Sequence, residues 1–213
     1  YSSFVNGGKL VKPIMIDRIQ DSEGNTIFNN EKRKCINCEH ISHLSENYPE
    51  IEDNFMQIFS SQTAYQMTSI LEGAIQNGTG KNLKDLKLDL GGKTGTTNGN
   101  TDTWFIGFTS KLAVGVYVGL DNPKPLGKYE TGAKTALPIF KNFIKNAVKK
   151  EEARPFKVAE NILMMVIDPV TGLKAETQSK LTIIEAYKNL PSDNTKDIYI
   201  NNRLKNNNIL KFY

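Results

Sequence analysis

Apolar residues recur every three or four positions in two stretches of the chain, which predicts two amphipathic helices. The first lies within residues 60–76, and Gly78 ends its pattern. The second spans residues 134–149, with lysines opposite an apolar stripe made of Leu137, Phe140, Ile144 and Val148. Residues 1–8 read as the end of a helix or a turn. We expect the second helix to pack on a sheet.

Alternation of apolar and polar residues predicts strands between these helices. Leu86, Leu88 and Leu90 alternate with polar residues, so we predict a half-buried strand that runs into the glycines after it. Residues 104–109 and 112–119 are separated by Ser110-Lys111, which is typical of a tight hairpin. The pattern therefore predicts an α+β fold with an antiparallel sheet and a packed C-terminal helix.

The flanking segments are more polar. The alternating pattern of residues 11–28 predicts a hairpin that turns at residues 21–25. Residues 29–52 are rich in charged, amide and turn-forming residues, which predicts a polar insertion with loop structure. We place the main domain at residues 1–150 and a mostly irregular tail at 151–213. That tail includes one short strand near 162–167 and an end rich in Asn, Lys and Asp that predicts disorder.

Charge and composition limit which kinds of partner we expect for this chain. The formal net charge is +4, and the basic residues are spread without the clustering of a nucleic-acid surface, so we expect no nucleic-acid partner. The longest apolar run, residues 162–167, is far too short to cross a bilayer. We expect no signal peptide at the start of these residues, and we expect any membrane anchor to lie outside them.

The segment Gly91-Gly92-Lys93-Thr94-Gly95-Thr96-Thr97 concentrates the candidate chemistry. Lysine supplies a fixed positive charge, the threonines supply hydroxyls for a carboxylate or carbonyl, and glycine lets another backbone approach closely. A phosphate-binding loop is the main alternative for a Gly-Lys-Thr triplet. Such a loop needs a glycine where this chain has Lys87 and a helix directly after the triplet, where this chain has turn-forming residues.

Cys35 and Cys38 form a Cys-x-x-Cys pair, with His40 and His43 close behind. The four residues lie too close together in sequence for a usual structural zinc site, so we predict no metal or other cofactor for the function of the chain. In an oxidising compartment a small disulfide would be the plainest interpretation of Cys35 and Cys38, while free thiols and a minor metal site also stay open.

The chain resembles the class A, bifunctional penicillin-binding proteins over most of its length. The Lys93-Thr94-Gly95 motif matches one of three motifs in the penicillin-recognising serine enzymes. The other matching segments keep the order found in the family and are residues 1–8, 64–67, 78–80, 102–109, 130–132 and 136–140.

The resemblance implies a penicillin-binding/β-lactamase-like transpeptidase fold and acyl transfer between peptidoglycan stem peptides, which β-lactams imitate. It implies that Lys93 tunes proton transfer and that Thr94 and Thr96 hold the terminal carboxylate of the donor. The N–H of Thr96 would bind the oxyanion, and Gly92 and Gly95 would leave room for the peptide. Family members act at the periplasmic face of the bacterial inner membrane.

The resemblance also implies that the chain is a C-terminal part. No serine here is followed three positions later by lysine, so the family's Ser-x-x-K nucleophile is missing, and we interpret Ser45-Glu46-Asn47 as a chance match to the Ser-x-Asn motif. Three interpretations stay open: a fragment that is inactive alone, a half-enzyme that needs its N-terminal part as partner, and a noncatalytic binding remnant. A β-lactamase fits the tail less well.

A missing N-terminal part would also leave apolar surface uncovered. We expect an exposed sheet face and a marginally stable or self-associating chain. The candidates for that face are Leu86, Leu88, Leu90, Phe105, Val114, Val116 and Val118.

Overall fold

The computed structural model describes residues 1–30, 33–36, 38, 50–52, 55–176 and 181–188. The chain divides into two compact units. One unit joins Tyr1–Gly8 to Phe59–Tyr213, and the other is Lys9–Ile58. The Lys-Thr-Gly motif lies in the first of these units.

The unit Lys9–Ile58 contains the predicted hairpin. Strands β1 (Arg18–Gln20) and β2 (Thr26–Asn29) pair antiparallel. Between them, the Asp21 carboxylate accepts the N–H groups of Glu23 and Asn25 at 2.9 and 2.8 Å, which fixes the turn. The hairpin prediction is confirmed, although strand pairing begins later than the sequence pattern does.

The polar insertion contains a little more structure than predicted. Strands β3 (Cys35–Ile36) and β4 (Glu50–Ile51) form one short antiparallel pair that is exposed throughout. Cys35 and Cys38 are joined in a disulfide, which decides between the three interpretations of this pair. His40, His43 and the Ser45-Glu46-Asn47 string lie outside the described residues.

The larger unit holds the helices and the main sheet. Its helices are α1 (Ser2–Val5), α2 (Ser61–Gln76) and α3 (Ala136–Ala147). Short 3-10 helices cover Lys81–Leu86, Asn98–Asn100 and Lys150–Glu152. Its strands are β5 (Gly91–Thr96), β6 (Thr103–Phe108), β7 (Ala113–Val118), β8 (Leu163–Ile167) and β9 (Ile183–Tyr187).

Strands β5, β6 and β7 form an antiparallel sheet in that order. The register of β5 on β6 runs without a bulge from Gly91 opposite Phe108 to Thr96 opposite Thr103. The N–H of Thr109 donates to the carbonyl of Leu112 at 2.8 Å, so the predicted two-residue connection between β6 and β7 is confirmed. The mixed helix and antiparallel sheet also confirm the predicted α+β class.

Helix α2 begins and ends where the sequence predicts. The Ser60 hydroxyl accepts the N–H of Thr63 at 3.2 Å and caps the first turn. At the other end, Gly78 donates its N–H to the carbonyl of Ala74. The buried face of the helix has the expected spacing of three and four and consists of Ala64, Thr68, Leu71 and Ile75.

The core lies between α3 and one face of the sheet. Phe105 of β6 and Phe140 of α3 are fully buried, with ring centroids 4.7 Å apart. Leu86, Leu90 and Phe105 are buried there, and Leu88, Val114, Val116 and Val118 pack against them. The expectation that this face is uncovered is therefore wrong, because α3 of the same chain covers it. The opposite face exposes Trp104 (42%) and Tyr117 (49%).

The strand predicted over residues 86–90 is also corrected. Leu83 and Leu86 lie three residues apart in the 3-10 helix Lys81–Leu86, and both are buried by that spacing. Lys87 then adopts a left-handed conformation with φ 54°, which turns the chain before the sheet. Strand β5 therefore begins only at Gly91, although Leu90 still points into the core.

The C-terminal part contains one predicted and one unpredicted strand. Strand β8 confirms the strand expected near residues 162–167, and β9 pairs with it antiparallel. The amide of Gln66 on α2 donates to the carbonyl of Ala186 at 3.0 Å, which ties this hairpin to the larger unit. Residues 189–208, where we predict disorder, lie outside the described residues.

Candidate functional site

The motif residues all lie on β5, at an edge of the sheet. Among the described strands, β5 pairs with β6 alone. The N–H of Thr97 donates to the carbonyl of Asp102 at 3.0 Å. Because the register of β5 on β6 has no bulge, this bond fixes which residues of β5 direct their backbone groups toward β6. In an antiparallel pair, every second residue directs its N–H and C=O away from its partner strand. The N–H and C=O groups of Gly92, Thr94 and Thr96 therefore point away from β6. We call this side of β5, which pairs with no described strand, the free edge.

Lys93 places a cation at this edge. Its side chain is exposed, and its Nζ donates to the carbonyl of Thr94 at 3.3 Å and to Oγ1 of Thr94 at 3.4 Å. The carbonyl contact agrees with the alternation, since the Thr94 carbonyl points to the free edge. An anionic group that approached along β5 would meet a positive charge and outward N–H groups together.

Both threonine hydroxyls of the motif have fixed neighbours. Oγ1 of Thr94 lies 3.0 Å from Oγ1 of Thr79, in the loop between α2 and the 3-10 helix Lys81–Leu86. Oγ1 of Thr96 accepts the N–H of Gly132 at 3.1 Å, from the loop that leads into α3. Two separate loops therefore position the two hydroxyls along one strand.

The glycines of the motif have packing reasons of their own. A Cβ on Gly92 would lie 2.9 Å from the Cζ atom of Phe105 and 2.8 Å from the carbonyl oxygen of Ile106. Gly92 is buried, so the close packing of β5 on β6 itself requires a glycine there. A Cβ on Gly95 would lie 3.3 Å from the Cβ of Trp104, a tight contact. A role for Gly92 and Gly95 in admitting a peptide stays a prediction.

Asp102 secures the turn after the motif strand. Its carboxylate accepts the Tyr117 hydroxyl at 2.6 Å and the Thr101 hydroxyl at 2.9 Å, and its N–H donates to Oγ1 of Thr97 at 2.9 Å. The hydrogen bond from Tyr117, followed by that from Thr101, holds the pKa of the Asp102 carboxyl below its ordinary value. The turn between β5 and β6 is thereby held to β7.

The structure brings together all five residues predicted for the site, because they share one strand. Thr79 and Gly132 also belong to it, and sequence reasoning assigned them no role. Both lie in segments that match the family pattern, at 78–80 and 130–132, but only the fold shows that their loops reach β5. Within the described part of the chain, no group of His, Cys, Asp and Glu side chains could hold a metal ion.

The local fold also argues against a phosphate-binding loop. The residues after β5 form one 3-10 turn, Asn98–Asn100, and then enter β6. The motif therefore lies along a strand and does not open a helix, which a phosphate-binding loop requires.

Comparison with known proteins identifies the family. The penicillin-binding protein transpeptidase domain matches residues 1–145. The chain belongs to the penicillin-binding protein transpeptidase family. Penicillin-binding protein 1A from Rickettsia felis is 42% identical over 190 residues, which cover 88% of this chain. Penicillin-binding protein 1A from Pseudomonas aeruginosa is 32% identical over 219 residues and covers 89% of it.

A crystal structure supports the transpeptidase fold. Penicillin-binding protein 1A from Haemophilus influenzae superposes with a TM-score of 0.72 at 31% identity, over 90% of this chain and 31% of that one. The chain spans 24% of the length of the Rickettsia felis protein and 27% of the Pseudomonas aeruginosa protein. It thus corresponds to part of a 1A-type transpeptidase. Among the described helices, none is long and apolar enough to cross a membrane.

Proposed function

We propose that this chain supplies the Lys-Thr-Gly edge of a peptidoglycan D,D-transpeptidase site. The observation that carries the proposal is the free edge of β5, where the Lys93 ammonium and the Thr94 and Thr96 hydroxyls lie beside outward backbone groups. A donor stem peptide ends in a carboxylate and presents a carbonyl for attack. This edge offers a complementary partner to each of these groups.

The reaction proceeds by acyl transfer in two steps. A serine hydroxyl attacks the carbonyl of the penultimate D-alanine, the peptide C–N bond breaks, and the terminal D-alanine leaves with a proton. An amine of a neighbouring stem peptide then attacks the serine ester, which forms the cross-link and regenerates the hydroxyl. Because the Ser-x-x-K pattern does not occur in these 213 residues, the nucleophile comes from another part of the enzyme.

The motif residues take separate parts in this reaction. Lys93 stabilises negative charge during proton transfer, and the hydroxyls of Thr94 and Thr96 hold the donor carboxylate. The N–H of Thr96, directed to the free edge, stabilises the oxyanion of the tetrahedral intermediate. β-Lactams carry a carboxylate and a reactive carbonyl, so they enter the same site and acylate the same serine.

The transpeptidase acts on the cell wall from the periplasmic face of the inner membrane. The Ser-x-x-K nucleophile belongs, in this proposal, to a part of the enzyme other than these 213 residues. The working enzyme is therefore this chain together with the N-terminal part of its transpeptidase domain, joined in one polypeptide or docked from a separate one.

Labelling with a fluorescent penicillin tests this proposal. We expect the 213-residue chain alone to form no covalent adduct, and the longer product read from the coding sequence upstream of Tyr1 to be labelled on a serine outside it. If a stop codon separates the two parts, they should be co-expressed and labelled together. Stoichiometric acylation of any serine in the isolated chain would contradict the proposal. A folded longer product that takes no label would favour a noncatalytic binding role.

A further inference from the structure

Thr79 lies in a loop that is fixed to the end of α2. The N–H groups of Gly78 and Gly80 both donate to the carbonyl of Ala74 at 3.1 Å, so the backbone on each side of Thr79 is tied to the same turn. Gly80 is buried, and a Cβ there would lie 2.9 Å from the Cγ1 atom of Ile75. The close packing of this loop sets the position of the exposed Thr79 side chain.

The Thr79 hydroxyl meets the motif strand through Thr94. Their Oγ1 atoms lie 3.0 Å apart, and either oxygen could donate. Oγ1 of Thr94 also accepts from the Nζ of Lys93 at 3.4 Å. A hydroxyl oxygen carries one proton and two lone pairs, whereas an ammonium group can only donate. The direction of the hydrogen bond between the two threonines therefore decides what Thr94 can offer to a ligand.

The two directions have opposite consequences for a carboxylate. If Thr94 donates to Thr79, its proton is used inside the protein, and a carboxylate at the edge would face a lone pair. If Thr79 donates to Thr94, then Thr79 and Lys93 occupy both lone pairs of Thr94, and the Thr94 proton is free to point outward. An ionised carboxylate can only accept hydrogen bonds, so it selects the second direction.

We propose that Thr79 is a positioning residue that donates its hydroxyl proton to Thr94 and so holds the Thr94 O–H ready for the carboxylate of the donor. This inference rests on the proposed transpeptidase function and deepens it, because it assigns a specificity for anionic donors to a residue outside the Lys-Thr-Gly motif. A neutral ligand in place of the carboxylate would gain less from this arrangement.

The test compares a penicillin with its methyl ester on the longer product that contains the nucleophile. Thr79→Val keeps the shape of the side chain and removes the hydroxyl, while Thr79→Ser keeps the hydroxyl. We expect Thr79→Val to lower the second-order acylation rate constant for the penicillin by about 10-fold or more, and that for the ester by less. Thr79→Ser should restore the wild-type ratio of the two constants.

Thr63→Val provides a matched control. The Thr63 hydroxyl pairs with Ser60 at 2.9 Å at the other end of α2, so this variant removes a similar contact away from the edge. We expect it to leave the ratio of the two rate constants unchanged. Melting temperatures of all variants should be recorded beside the rate constants.

Three outcomes would overturn the role of Thr79. The first is a wild-type ratio in Thr79→Val. The second is an equal loss for penicillin and ester in that variant, since that would indicate a general structural effect. The third is a Thr79→Val protein too unstable to purify beside a stable Thr79→Ser protein, which would assign the hydroxyl to folding. Failure of the wild-type enzyme to be acylated would instead contradict the proposed function, and this inference with it.

Discussion

The N–H of Gly132 donates to Oγ1 of Thr96 at 3.1 Å and so joins the loop before α3 to the last residue of β5. A backbone N–H can only donate, so this contact occupies a lone pair of Thr96 and leaves its proton available. Gly132 also lies against the backbone of β5, since a Cβ there would be 2.6 Å from the carbonyl oxygen of Gly95. One glycine thus sets both the position and the polarity of the Thr96 hydroxyl.

Gly132→Ala should therefore disturb the edge of β5. The added methyl group would overlap backbone atoms of the sheet, which cannot move aside as a flexible side chain could. Overpacking of this kind lowers the free energy of unfolding by about 1–3 kcal/mol. We expect a lower melting temperature and a lower rate of penicillin acylation in the longer product. Gly73→Ala is the control, because a Cβ at that helical position would meet no heavy atom within 4 Å apart from its chain neighbours and the backbone of its own helix. It should be neutral or stabilise by up to about 1 kcal/mol. A fully stable and active Gly132→Ala enzyme would contradict this account of the loop.

Tyr117→Phe should raise the pKa of the Asp102 carboxyl toward its ordinary value. The Tyr117 hydroxyl is the largest cause of the lowered pKa, and Phe removes only that hydroxyl. A depressed folded-state pKa contributes stability above the ordinary aspartate range, which is lost as the pH falls through the folded-state pKa. The stability difference between wild type and Tyr117→Phe should accordingly disappear in acid.

Carboxyl NMR titration measures this change directly. Asp85 serves as an internal control, because its lowered pKa depends chiefly on a hydrogen bond from Lys141 at 2.7 Å and not on Tyr117. We expect the Asp102 titration to move upward while that of Asp85 stays in place. An unchanged Asp102 pKa in the variant would show that the hydroxyl contact does not form in solution.

Glu72→Gln should stabilise the chain at neutral pH. Burial, and after it the charge of Asp89, raises the pKa of the Glu72 carboxyl. For a raised folded-state pKa, the stability contribution is full below the ordinary glutamate range and is lost as the pH rises through the folded-state pKa. The amide cannot ionise, so the variant avoids this loss.

The expected result is a higher melting temperature than wild type at pH 7. The gain should vanish below about pH 4, where the wild-type carboxyl is protonated in both states. Glu160→Gln, the same exchange at an exposed side chain, is the control and should leave the melting temperature at pH 7 near the wild-type value. An equal gain for Glu72→Gln at both pH values would attribute the effect to packing and not to ionisation.

Local patterns in the sequence predicted the elements that have a single dominant periodicity. The apolar stripe of α3 and the alternating valines of β7 each admit one interpretation, and both elements form as predicted. The segment around Leu83, Leu86, Leu88 and Leu90 fits two periods, because a spacing of three suits a 3-10 helix and a spacing of two suits a strand. Lys87, in a left-handed conformation, separates the 3-10 helix from the strand. That conformation is typical of glycine and is not predicted from a lysine.

The site was predictable only where its residues are contiguous. Lys93, Thr94 and Thr96 can be found from their motif because one strand presents all three. Thr79 and Gly132 are 15 and 36 residues from their partners in sequence, and their contacts depend on how two loops fold back onto β5. The short strand β9 was not predicted either. It has only five residues, which are too few to give a periodic signal, and it is stabilised by pairing with β8.

The most direct test of the central claim is the rate of penicillin acylation in a Lys93→Ala variant of the longer product. The claim is that the free edge of β5 supplies the charge used in serine acyl transfer. Lys145→Ala is the matched control, because Lys145 is exposed on the last turn of α3, outside the motif strand. We expect the second-order acylation constant to fall by about 100-fold or more for Lys93→Ala and to stay near wild type for Lys145→Ala. A folded Lys93→Ala enzyme that penicillin acylates at the wild-type rate would contradict the claim.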